Sequence, residues 1–209
     1  MQNTDRNELR RSQTSGAIRQ GAAELFATTD PRRVTVHEIA RAAGVSVGSI
    51  YFHFGTKDGL YLTLLEEALD RSARYTLNRR WSESPLQRIF NTGEAYVNFA
   101  LENPESFRLI SQRIPVQLDT PELQQAQARI ERRISTEIEA IRVDLREAVA
   151  AGELLDLPAD RMLTFLWATW AGVIGMAFRE DGFRIGPDDV RIVLAGASAI
   201  LAKGIRPEA

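Results

Sequence analysis

The stretch Thr35–Lys57, TVHEIARAAGVSVGSIYFHFGTK, gathers a phenol, an imidazole and an ammonium group at Tyr51, His53 and Lys57. All three can donate hydrogen bonds to phosphate oxygens, and a tyrosine ring packs well on a thymine methyl. Ser46, Val47, Gly48 and Ser49 come just before them. A buried helix has no need of small and hydroxylic residues there, whereas a helix pressed against a DNA duplex does. Val47 offers apolar contact alone, so any base preference it carries is for a thymine methyl. Lys57 falls in the first turn of a helix, where a cation opposes the dipole, and a nearby phosphate would offset that conflict. Thr35 marks another helix start, from which a backbone phosphate contact is open. With no Arg or Lys between Ser46 and Phe54, guanine reading falls to Arg41 or to the N-terminal residues. The plainer reading of the same residues is a core tyrosine, an exposed histidine and ordinary helix caps.

The surrounding spacing supplies the elements that must hold this chemistry. Val36, Ile39, Ala40 and Ala43 recur at helical intervals. Thr35 and Glu38 have capping-box spacing, in which the hydroxyl and the carboxylate each satisfy a free amide. Gly44 stops that helix, since the left-handed conformation costs glycine little. Ser46 is an N-cap for a short helix from Val47 to about Phe52. On it Ile50 and Phe54 face the core, and Val47, Gly48 and Tyr51 face the other way. Thr56 caps the next helix, which runs through Leu60, Leu64, Leu65, Ala68 and Leu69 towards Arg79. Helix, glycine turn and short helix predict a helix-turn-helix whose second helix can enter the major groove. Ile18, Ala22, Leu25 and Phe26 predict a bracing helix before it. Residues 1–10 read as a flexible polar arm, with Arg10 and Arg11 ordering on a phosphate backbone.

Composition excludes more than it proves. The 209 residues include no cysteine, which removes disulfides, thiolate metal sites and cysteine nucleophiles together. His37 and His53 are the two histidines, too few for a His-based metal centre. No cofactor is expected. An enzyme would need a nucleophile–base set or a metal, and no cluster of Asp, Glu and His suggests either. No apolar stretch follows a basic start, so no signal peptide is read and the cytoplasm is the expected location. The net charge is −2, yet residues 1–60 carry eight basic and six acidic side chains. A slightly basic end on an acidic body would orient the molecule on DNA without binding it by charge alone.

Beyond Trp81, Ser84-Pro85, Asn103-Pro104 and Thr120-Pro121 each pair a capping residue with a proline suited to the first helical position. Pro158 and Pro187 open helices in the same way. No sustained alternation of period two appears, so the chain reads as all-α, with helices at 85–101, 104–113, 121–151, 159–179 and 188–203. Residues 162–178, MLTFLWATWAGVIGMAF, are apolar almost all round. A membrane span needs roughly 20 such residues; a helix buried on both faces, one of them against a partner subunit, fits better. Ala168, Gly172 and Gly175 would let backbones approach closely, and the last helix offers Val193, Ala197 and Ile200. Two such helices from each chain would build a four-helix dimer interface. Tyr96, Phe99, Phe107, Ile110, Met162, Phe165, Trp167 and Trp170 read either as plain core or as the lining of an apolar ligand pocket.

AAELFATT followed by TVHEIARAAGVSVGSIYFHFGTKDGL closely resembles the DNA-binding domain of the TetR/AcrR family of bacterial transcriptional regulators, from about Ala17 to Leu60. Val47 departs from the pattern, since many relatives carry a basic or polar residue there. The resemblance implies a three-helix helix-turn-helix domain at residues 11–56, joined by a connecting helix at 57–82 to a helical ligand-binding and dimerisation domain at 83–209. It implies a homodimeric repressor on double-stranded palindromic operator DNA, with half-sites about one helical turn apart. It also implies a small-molecule effector, bound among the aromatic residues, that changes the spacing of the two reading heads. The rival from another class is a helix-turn-helix adaptor that binds protein instead of DNA.

Overall fold

The computed structural model describes residues 2–77 and 82–204, and among them the chain forms nine helices and no strand. In order these are α1 (Gln2–Thr28), α2 (Val36–Ala43), α3 (Val47–Phe54), α4 (Lys57–Leu77) and α5 (Pro85–Glu102), then α6 (Pro104–Ser111), α7 (Pro121–Ala150), α8 (Ala159–Ala177) and α9 (Pro187–Gly204). The expected end of the connecting helix near Arg79 lies outside the described residues. Two of the three capping pairs behave as expected, whereas at Asn103-Pro104 the asparagine side chain donates back to the Phe99 carbonyl at 3.2 Å and ends α5 instead of capping α6. Ser84 Oγ accepts from the Gln87 amide and Thr120 Oγ1 from the Leu123 amide, with proline next in the chain each time.

Helix α1 runs from Gln2 through residues expected to form a flexible arm. No glycine or proline interrupts the run before Gly16.

The chain divides into two compact units, and the division is not the continuous one expected. The first unit joins Met1–Leu69 to Pro104–Glu131; the second joins Asp70–Asn103 to Arg132–Ala209. Segment 104–131 belongs to the first unit through specific contacts. Helix α6 packs on α1. The Ile114 amide donates to the Tyr61 hydroxyl at 3.2 Å, and the Gln117 amide to the Asp58 carboxylate at 3.2 Å. Arg129 forks onto both oxygens of Glu66 at 2.7 and 3.2 Å.

The core of the first unit is Ile18, Ala22 and Phe26 of α1 against Ile39, Ile50, Leu60 and Tyr61. Phe26 and Tyr61 meet edge to face at 6.0 Å. Burial of each large side chain contributes about 1.5–3 kcal/mol, so α1 supplies much of what holds the helix-turn-helix in place.

In the second unit α5 is buried along most of its length, from Leu86 to Ala100. Arg88 reaches from it to Asp144 of α7 at 2.9 Å and also pairs with Glu147. Asp144 is buried, and removing one member of such a pair typically costs about 3–5 kcal/mol. The Glu153 carboxylate accepts from both Ser84 Oγ and the Leu86 amide, which fixes the start of α5.

Candidate nucleic-acid interface

The local chemistry of α2 and α3 decides where their side chains point. Thr35 Oγ1 accepts from the Glu38 amide at 3.2 Å, and the Glu38 carboxylate accepts from the Thr35 amide at 2.7 Å. Those hydrogen bonds, the backbone one foremost, hold the Glu38 carboxyl below its ordinary pKa. Gly44 ends α2 at φ 65°, ψ 32°, and Val45 closes the turn by donating to the Ala40 carbonyl at 3.0 Å. Ser46 then caps α3: its Oγ accepts from the Ser49 amide at 3.2 Å and lies 2.9 Å from Ser49 Oγ.

With those ends fixed, Ile50 is fully buried and the opposite side of α3 is left open. Gly48 is exposed, Val47, Ser49 and His53 are half-buried, and Tyr51 keeps 50% of its surface. Thr35 is exposed at the start of α2, as are Arg41 and His37. Tyr51, His53 and the small residues around Ser46 thus lie on one short helix that presents them outward.

One aromatic residue beside this face, Phe52, escaped the sequence reading. Phe52 is the more exposed aromatic, at 66%, and the Arg11 guanidinium lies 5.0 Å over its ring. Arg10, Arg11 and Thr14 of α1 line a groove with Ser46, Ser49, Phe52 and His53. The helical continuation of α1 is what brings these arginines to the reading face. The available signal was position: Phe52 falls on neither the Ile50 nor the Phe54 side of α3.

Lys57 has partners that the sequence did not suggest. Its Nζ donates to the carbonyls of Val34 at 2.9 Å, Pro31 at 3.0 Å and Arg32 at 3.4 Å. Those oxygens explain a cation in the first turn of α4 without an external anion.

The expected ligand residues are divided between the two units of the chain. Phe107 and Ile110 lie on α6 in the first unit. In the second, the Tyr96 ring lies 6.3 Å from Phe99 and 5.3 Å from Trp167. Met162 and Trp170 are buried, whereas Phe165 is exposed. Burial, with the Glu137 carboxylate nearby, raises the Tyr96 hydroxyl pKa well above its ordinary value. Burial likewise raises that of Glu137, partly offset by Arg133, and Glu137 Oε1 has no hydrogen-bond partner among the described residues. A cavity of about 470 Å³ between α5, α8 and α9 has Trp170 in its wall, with Val97, Leu194 and a rim that includes Asn98 and Arg191.

The residues expected at a dimer interface are all at least partly open to solvent. Ala168, Gly172, Val193 and Ile200 are exposed, and Gly175 and Ala197 are half-buried. Among the described residues no helix is long and apolar enough to cross a membrane.

An outward-facing helix-turn-helix followed by a larger helical region defines a transcriptional regulator of the helix-turn-helix class. Residues 18–64 match the family described as bacterial regulatory proteins, tetR family, and residues 89–197 match the tetracyclin repressor-like C-terminal domain. The chain belongs to the TetR family. It is 31% identical over 160 residues to the transcriptional repressor AcnR of Corynebacterium glutamicum, covering 75% of this chain and 78% of that one. It is 32% identical over 160 residues to the repressor KstR2 of Mycolicibacterium smegmatis, covering 74% and 75%. Among solved structures, the ketosteroid regulator KstR2 of Mycobacterium tuberculosis superposes with a TM-score of 0.73 at 23% identity, covering 93% of this chain and 95% of that one. AibR, solved with isovaleryl coenzyme A and operator DNA, gives 0.70 at 15% identity, covering 90% and 97%.

Proposed function

We propose that this regulator is a homodimeric repressor that leaves a palindromic operator when a small, partly apolar effector binds its second unit. The observation that carries the DNA reading is the open face of α3, where Tyr51, Gly48 and Ser49 surround a helix anchored by fully buried Ile50. Thr35, Ser46, Ser49, Tyr51 and His53 contact phosphates and Val47 a thymine methyl. Lys57 contributes there too: its 3.4 Å bond to the Arg32 carbonyl is the weakest of its three, which leaves one N–H to exchange for a phosphate oxygen.

The apolar surface of α8 and α9 supports the dimer. Ile192 is 68% and Ile200 74% exposed, and a Cβ built at Gly172 or Gly175 meets no atom within 4 Å. A second copy covering this face would remove a large apolar area from water. Tyr96, Phe99, Met162, Trp167 and Trp170 supply the effector site. To act as a switch, the effector must bind the released form much more tightly than the DNA-bound form. A regulator that acts on operator DNA in a bacterial cell would do so in the cytoplasm.

Selection from random DNA with wild type beside Tyr51→Ala tests this function. Enrichment of a palindrome by wild type alone is expected. Equal behaviour of the two proteins, both folded, would remove α3 from the reading surface.

A further inference from the structure

We infer that a cleft in the first unit, lined by Arg108 and Arg113, binds a small organic anion and through it adjusts the DNA-reading head. The cleft, of about 350 Å³, lies between the end of α1, the loop Asp30–Arg32 and the connection that follows α6. This is large enough for one ring or short chain bearing a charged group. Phe26, Leu109 and Ile114 give it apolar surface beside the two guanidinium groups.

The charge in the cleft is unbalanced. Within this unit Arg19 is committed to Glu67, Arg129 to Glu66, and Arg32 to Asp30, whose carboxylate also lines the cleft. No carboxylate of the described residues pairs with Arg108 or Arg113. Arg108 is half-buried in the last turn of α6, where the helix dipole favours a cation. That accounts for one arginine, but not for a second one beyond the helix end or for the apolar surface between them. Guanidinium groups over an apolar surface match a carboxylate or phosphate attached to an aryl or short alkyl body.

The cleft wall is also the support of α4. Pro31 and Arg32 line it, and their carbonyls accept from Lys57 Nζ. Lys57 begins α4, with only Gly55 and Thr56 between it and the end of α3. An occupant that competes with Asp30 for the Arg32 guanidinium shifts these acceptors, so anion binding and operator binding become linked and the linkage is reciprocal. This coupling rests on the DNA-binding function proposed above; the binding of the anion does not.

The test is a calorimetric titration of phenyl phosphate, with phenol as the neutral control, into the full-length protein without DNA. Saturable binding of phenyl phosphate at one site per chain is expected, weakened at least tenfold in R108Q/R113Q with the same helical circular dichroism. If the double variant does not fold, R113Q alone carries the comparison, because Arg113 is exposed. No binding to wild type, or equal binding to the variant, overturns the site. A second arm measures operator affinity against salt. A shallower salt slope in R108Q/R113Q, with no heat from phenyl phosphate, assigns the arginines to backbone phosphates and also overturns the inference. If phenyl phosphate binds but leaves operator affinity unchanged at saturation, the coupling is overturned.

Discussion

Gly93 faces Trp170 so closely that a Cβ built on it would lie 2.5 Å from the indole carbons. The bare backbone of α5 is therefore part of the seat for a buried tryptophan of α8. Gly93→Ala should cost about 1–3 kcal/mol through overpacking, reduced by the roughly 1 kcal/mol that alanine gains in a helix. Urea unfolding reads the net loss, and Trp170→Leu in the same chain should recover part of it. An unchanged midpoint would mean that the indole moves freely.

Lys57 should prove to be both brace and contact. Lys57→Met leaves three carbonyls without their cation, and a loss of about 1–3 kcal/mol in chemical denaturation is expected. The slope of log operator affinity against log salt should fall by about one unit. A stability loss with an unchanged slope would leave Lys57 a brace alone.

The sign of the Glu137 effect is fixed by its environment. Burial raises its folded pKa above the ordinary 4.5, so the fold favours the protonated form. That contribution is complete below pH 4.5 and is lost as pH rises through the raised value. Glu137→Gln keeps the neutral shape at every pH. Thermal melts should show the variant matching wild type in acid and exceeding it progressively as pH rises above about 4.5. A difference that does not vary with pH would show that Glu137 reaches water.

Gly172 tests the dimer without threatening the monomer, since nothing lies within 4 Å of a Cβ at that position. Gly172→Gln should weaken self-association at least tenfold, about 1.4 kcal/mol, in sedimentation equilibrium, with unchanged helical content. A dimer of undiminished strength would place the interface elsewhere.

The helix-turn-helix was legible because its determinants are local. Thr35 with Glu38, Gly44 and Ser46 act within three or four residues, and each performs the capping its chemistry suggests. The proline-marked helices were legible for the same reason. What stayed hidden depends on partners far along the chain. Lys57 reads as a cation in search of an anion because its carbonyls lie 23 to 26 residues earlier. Phe52 gives no local sign of its place because Arg11, which covers its ring, lies far earlier in the chain. Periodicity shows that Phe107 and Tyr96 are buried, but not that they belong to different units. The polar opening of α1 had no apolar rhythm to announce it.

The interrupted course of the first unit sets a rule for protein engineering. The simplest way to exchange a reading head is to join one regulator's N-terminal segment to another's body at a single junction. A junction after Leu69 would carry away Phe26 and Tyr61 but leave behind α6 and the Ile114 amide that donates to the Tyr61 hydroxyl. Such a hybrid would carry a seam across a shared core. A transplant that respects this architecture moves two pieces together, residues 1–69 and 104–131, and leaves the intervening segment with the host.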